Sequence, residues 1–129
     1  MITEFSERKT FNLNRLRKIS VEAIEQSNSI KIPEICEVQN ITNLMKNWDN
    51  KRMIFFCDEC GGNSILSSQK IIQKYRKFAI FIGPIGGWSS SDRKLFSNLK
   101  INKCSLGNNL LKADTAAIYS LSCLRALIE

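Results

Sequence analysis

Two short runs, Met53–Cys57 and Phe78–Ile82, are apolar without a single polar interruption, and this limits the folds open to the chain. A strand with one wet face alternates apolar and polar residues, whereas a strand covered on both faces does not. The runs therefore point to a parallel sheet between helices, with a weaker third strand at Lys103–Leu106. Helix-length segments separate them, Ser64–Lys74 and Ser90–Leu99, and the second has a serine start and Asp92 in its first turn, where a negative charge suits the helix dipole. A closing helix is expected over Thr115–Ile128, with Ala117, Ile118, Leu121, Leu124 and Ile128 as its apolar stripe. Upstream, Leu13–Gln26 has helical spacing through Leu13, Leu16, Ile19, Ala23 and Ile24, with Asn12 or Asn14 as its cap. Thr42–Trp48 reads as a short helix with Leu44, Met45 and Trp48 turned inward. Pro33 interrupts Ile30–Val38, so a strand there starts late or lies at an edge. Residues 1–12 are polar and aperiodic and read as a loose arm or the stump of a connection. The expectation is one α/β domain over 13–129.

Composition excludes several classes of function. Histidine is absent, which rules out a Ser-His-Asp triad, a Cys-His pair and a histidine-ligated metal. The five cysteines are an odd number scattered through mostly apolar segments, which suits reduced, buried thiols. Cys57 and Cys60 form a CxxC, but zinc would need two more ligands, and Asp58 and Glu59 between the thiols raise their pKa. No metal site is expected. The apolar runs are too short to span a membrane and no charged-then-apolar leader opens the chain, so a cytoplasmic protein is expected. A net charge of +7, with clusters at Arg15, Arg17, Lys18, at Lys70, Lys74, Arg76, Lys77 and at Arg93, Lys94, favours an anionic partner such as nucleic acid.

In an open parallel sheet, ligands bind beyond the carboxyl ends of the strands. Two glycine-bearing segments fall there: Gly83-Pro84-Ile85-Gly86-Gly87 after one strand, and Leu106-Gly107-Asn108-Asn109-Leu110-Leu111 after the next. Either is explained alone by a tight turn. On consecutive strand ends they suggest a crevice where a flat adenine ring could lie against main-chain groups. Neither is a G-x-G-x-x-G or a phosphate-cradling Gly-Lys-Ser/Thr, which argues against a dehydrogenase or an NTPase. Asp114-Thr115 reads equally as a helix cap or as part of a ligand site.

Four segments together resemble the SPOUT-class methyltransferases that modify uridine N3 in 16S ribosomal RNA, the RsmE family. They are Arg15-Leu16-Arg17-Lys18-Ile19 through Pro33-Glu34-Ile35, then Phe55-Phe56-Cys57-Asp58-Glu59, then Ala79 through Gly83-Pro84-Ile85-Gly86-Gly87-Trp88-Ser89, and finally Leu106 through Ala117. The resemblance implies a mostly parallel sheet flanked by helices with a C-terminal trefoil knot, a homodimer, and S-adenosylmethionine as cofactor. It implies ribosomal RNA of the 30S subunit as substrate. Carried over by position, Ile82, Gly83, Gly86, Gly87, Leu106, Gly107, Leu110 and Leu111 would line the cofactor site, mostly through their backbones. Lys112 is the expected cation beside the reacting base, and Asp114 the accompanying base or orienting group. The chain departs from the family pattern at Ile85 (a glutamate in the family), Asn108 and Asn109 (proline and arginine), and Lys112 and Ser29 (arginines). It also begins after the family's N-terminal PUA-like β-barrel. These departures sustain two alternatives: a degenerate SPOUT-like dimer that binds cofactor or RNA without methyl transfer, and a plain basic RNA-binding domain.

Overall fold

The computed structural model describes residues 1–6, 10–27 and 29–129. In chain order the elements are α1 (Leu13–Ser27), α2 (Ile41–Lys46), β1 (Arg52–Cys57), β2 (Asn63–Ser64), a 3-10 turn (Ile65–Ser67), α3 (Gln69–Lys74), β3 (Lys77–Ile82), α4 (Ser90–Ser97), β4 (Ile101–Ser105) and α5 (Ala113–Ile128). The four strands form one sheet in the order β2-β4-β1-β3, and every pairing is parallel.

The central position of β1 accounts for its unbroken apolar run. Met53 through Cys57 are all buried, and Ile54 and Phe55 are 0% exposed. Successive side chains leave a strand on opposite faces. Ile54 and Phe56 enter one core with Ile41 and Met45 of α2, Phe81, Trp88 and Phe96. Met53, Phe55 and Cys57 enter the other, with Ile65, Cys104 and the α5 residues Cys123 and Leu124. In the first core Phe56 lies 4.4 Å from Phe96 and 4.8 Å from Trp88 between ring centres. Truncating such a ring to alanine costs roughly 3–5 kcal/mol, because the hole cannot fully close.

Local chemistry sets the helix ends. Ser89 and Asp92 close a reciprocal box at the start of α4: the Asp92 N–H donates to Ser89 Oγ at 3.0 Å and the Ser89 N–H donates to Asp92 Oδ2 at 3.2 Å. Asn40 Oδ1 accepts from the Thr42 N–H at 2.8 Å and starts α2.

Four expectations are corrected. No strand forms at Ile30–Val38; residues 31–39 carry no regular structure, because Pro33 removes an N–H from any ladder and Ile30 and Ile32 are exposed. The single helix expected at Ser64–Lys74 is split into β2, a 3-10 turn and α3. Serine hydroxyls there compete for backbone groups: Ser64 Oγ accepts from the Leu66 N–H at 3.3 Å, and Ser67 Oγ donates to the Ser64 carbonyl at 2.7 Å. The stripe on α1 is only partly covered: Leu13, Leu16 and Ile24 are half-buried, while Ile19 and Ala23 are exposed; periodicity identifies an apolar face without supplying what would bury it. On α5 the buried set is Ala116, Ser120, Cys123 and Leu124, while Ile118, Leu121 and Ile128 face outward.

The first residues are not loose. Ile2 bridges to Asn40, Thr3 is buried, and the Ser91 hydroxyl donates to the Glu4 carboxylate, tying the segment to α4. The rest of the expected arm includes residues 7–9, outside those described. Among the described residues no helix is long and apolar enough to cross a membrane.

Candidate active site

The register of the sheet builds the site. Cys57 is paired with Ile82 on one side and with Cys104 on the other, so β1, β3 and β4 end at one edge and their following loops are neighbours. Around that edge lies a hollow of about 1010 Å³, large enough for a nucleoside-sized ligand. All ten residues singled out from the sequence line it: Ile82, Gly83, Gly86, Gly87, Leu106, Gly107, Leu110, Leu111, Lys112 and Asp114.

Each loop is held in a specific way. Trp88 is 2% exposed and its indole N–H donates to the Cys57 carbonyl at 2.8 Å, which fastens the Gly83–Gly87 loop to the end of β1. The Gly87 N–H closes a turn onto the Pro84 carbonyl at 2.8 Å. Gly87 has φ +75°, a conformation that favours glycine, and the Glu59 carboxylate occupies the space that a Cβ there would take. Gly86 packs against Phe5, whose Cβ would lie 3.0 Å from a Cβ added at Gly86. Opposite, Lys112 occupies the cap position of α5 without a side-chain cap bond. Asp114 does not cap that helix but sits in its first turn, where its Oδ1 accepts from the Thr115 N–H at 2.8 Å. Ile85 and Leu110 line the hollow yet are 87% and 83% exposed, as expected of residues at its mouth.

Cys57, Asp58 and Glu59 also line the hollow. In the sequence these two acids figure as neighbours of thiols and within a segment that resembles the family, not as site residues. The missed signal was an acidic pair directly at the end of a fully apolar strand. Asp58 has no exposed side-chain surface and is paired with Arg93 at 2.8 Å and Lys103 at 3.2 Å. Burial alone would raise its carboxyl; the hydrogen bonds from Arg93, from the Cys60 amide and from Lys103 outweigh it and hold the pKa at about 2. The bond to Asp58 raises the Arg93 guanidinium further above its ordinary range. Arg93 also donates to the Trp88 carbonyl, so one side chain ties the glycine loop to the β1 end. Asp58, Glu59 and Cys60 bring three potential metal-ligand atoms within 4.8 Å of one another. Arg93 Nη2 stands where they converge, at 2.8, 3.2 and 3.2 Å. Burial pushes the Cys57 thiol up to about 12, aided by Cys104, and the Cys104 thiol likewise to about 12. Both are protonated and unreactive at neutral pH.

The basic residues at positions 70–77 do not line the hollow. Lys70 and Lys74 are on α3, and Arg76 and Lys77 stand at the start of β3, roughly 16 Å along the strand from its end at the hollow. Arg93 is engaged by Asp58.

A parallel sheet whose strand ends open onto a glycine-lined hollow defines an α/β ligand-binding domain. Residues 1–125 match the RNA methyltransferase domain family, and the chain belongs to that family. It is similar to ribosomal RNA small subunit methyltransferase E of Rickettsia conorii, 32% identical over 128 residues, which is 98% of this chain and 52% of that protein. It is also similar to ribosomal RNA small subunit methyltransferase E 2 of Borreliella burgdorferi, 33% identical over 115 residues, 89% of this chain and 46% of that protein. The chain spans about half the length of these relatives. Among solved structures, one from Legionella pneumophila described as a methyltransferase with S-adenosylmethionine bound superposes with a TM-score of 0.82 at 24% identity, covering 97% of this chain and 52% of that one. Ribosomal RNA small subunit methyltransferase E from Neisseria gonorrhoeae, bound to S-adenosylmethionine, superposes at 0.77 with 19% identity, covering 95% and 51%.

Proposed function

We propose that this chain is the catalytic domain of an S-adenosylmethionine-dependent methyltransferase that modifies N3 of a uridine in 16S ribosomal RNA. The observation that carries the reading is the meeting of both glycine loops around one hollow, with Lys112 and Asp114 on its wall. The residues fit such a cofactor: Gly83, Gly86, Gly87 and Gly107 offer backbone at close range, and Ile82, Leu106, Leu110 and Leu111 offer apolar contact to an adenine face. When bound, the cofactor supplies an electrophilic methyl group on a sulfonium centre.

The chain's own residues hold the base in line and stabilise charge. Lys112, exposed before the first turn of α5, stands where negative charge on uracil N3 and its flanking carbonyls would meet a cation and the positive end of a helix. Asp114 orients the base or accepts the N3 proton. The reading includes a trefoil-threaded C-terminal half, a homodimer and a cytoplasmic location, with the basic faces attracting RNA.

Methyl transfer from labelled S-adenosylmethionine to 30S-derived RNA tests it. Lys112→Ala is expected to lower turnover by about a hundredfold or more, the usual loss of one charge-stabilising group, and unchanged turnover dismisses its role. Nucleoside mass spectrometry of the product identifies the methylated atom. Calorimetric binding of the cofactor without any transfer would favour the degenerate dimer, for which Ile85 in place of a carboxylate is the motivating residue. No binding at all removes the enzyme reading.

A further inference from the structure

The hollow has an electrostatic problem. S-adenosylmethionine carries two positive centres, the sulfonium and the α-ammonium, against one carboxylate, and the chain itself has a net charge of +7. Neither glycine loop contains a charged side chain from Gly83 to Ser91 or from Ser105 to Leu111, and Lys112 adds a further cation to the wall. Among the described residues, Asp58, Glu59 and Asp114 are the lining carboxylates. Asp58 is spent, with both oxygens taken by Arg93, Lys103 and the Cys60 amide. Asp114, across the hollow at the start of α5, accepts from the Thr115 N–H and hydroxyl through Oδ1.

Glu59 differs. Only its Oε1 is engaged, by Arg93 Nη2 at 3.2 Å, and the side chain is 39% exposed. Its carboxylate rests on the α-carbon of Gly87, in space that a Cβ would need. Arg93 thus fixes one oxygen against the glycine loop, and Oε2 has no hydrogen-bond partner among the described residues.

We propose that Glu59 is a binding residue for a cationic centre of the methyl donor, presenting to the pocket a carboxylate that Arg93 holds by one oxygen against the glycine loop. This rests on the reading of the hollow as the S-adenosylmethionine site. Arg93 is the positioning residue, and Gly87 is the opening that lets the carboxylate reach the loop.

Calorimetry with three probes tests the assignment: S-adenosylmethionine, S-adenosylhomocysteine, which lacks the sulfonium charge, and 5′-methylthioadenosine, which lacks both cationic centres. Glu59→Gln is expected to weaken S-adenosylmethionine about tenfold, the scale of one charge-assisted contact, and to leave 5′-methylthioadenosine unchanged. Unchanged S-adenosylhomocysteine then places the carboxylate at the sulfonium; an equal loss places it at the ammonium. Equal S-adenosylmethionine affinity in wild type and variant overturns the proposal, as does a parallel loss of all three probes in a variant that melts like wild type. Should Glu59→Gln not fold, Glu59→Asp, which withdraws the charge by one methylene, is read by the same ratio, and an unchanged ratio overturns the proposal. A wild type that binds none of the probes removes the cofactor reading itself, and this assignment with it.

Discussion

Asp58 meets four donors with two oxygens: Arg93 Nε at 3.0 Å, Arg93 Nη2 at 2.8 Å, the Cys60 N–H at 3.1 Å and Lys103 Nζ at 3.2 Å. Removing its charge leaves Lys103 without its counter-ion and Arg93 with Glu59 alone. Asp58→Asn is therefore expected to destabilise the fold by roughly 2–3 kcal/mol, below the usual cost of breaking a fully buried pair because both cations reach solvent; urea unfolding measures it. The sign of the pH dependence follows from the depression of the Asp58 carboxyl from 3.8 to about 2. Its contribution is complete above the unfolded value and is lost as pH falls through the folded one. The stability gap between wild type and Asp58→Asn should narrow between those two values, and a gap independent of pH there would contradict the pairing.

At the scale of elements, α4 does more than cover the sheet. Its capping box fixes Ser89 directly after Trp88, its first turn presents Arg93 to Asp58, and Ser91 holds Glu4. Start of helix and end of glycine loop are thus one unit. Ser89→Ala should cost about 1 kcal/mol in thermal or urea unfolding, the value of a lost N-cap. It should also weaken cofactor binding at temperatures where the native state is still fully populated; an unaltered affinity would show that loop and helix start are independent. The capping box was legible from Ser89 and Asp92 because both partners are local in sequence. The splitting of Ser64–Lys74 was less so, since β2 exists only by pairing with β4, about 40 residues further along the chain.

For the whole molecule, β3 is an edge strand, and Phe78, Ile80 and Ile82 line a shallow apolar groove of about 220 Å³ with Ala117, Leu121 and Leu124 of α5. Ile118, Leu121 and Ile128 continue outward from it as exposed apolar surface, which supports the proposed homodimer. Leu121→Glu is expected to yield a monomer by sedimentation with its helical content retained, while a wild type that sediments as a monomer at high concentration would end the dimer reading. The amino-acid order alone determined that Met53–Cys57 and Phe78–Ile82 are strands, and that the first is covered on both faces; on the second only Phe81 is buried, because the face of Phe78, Ile80 and Ile82 opens onto the groove. It also determined that glycine loops follow Phe78–Ile82 and the strand after it, and that a helix closes the chain. These follow from period, length and turn chemistry, which neighbouring residues carry among themselves. Tertiary structure decided what lies opposite what. It left the apolar stripe of α1 only half-buried, turned Ile118, Leu121 and Ile128 of the α5 stripe to solvent, and set Arg76 and Lys77 at the start of β3, the end away from the hollow. It also drew Arg93 onto Asp58, 35 residues away. Such pairings depend on strand order and register, and these are set by the joint burial of two cores rather than by any local run of residues.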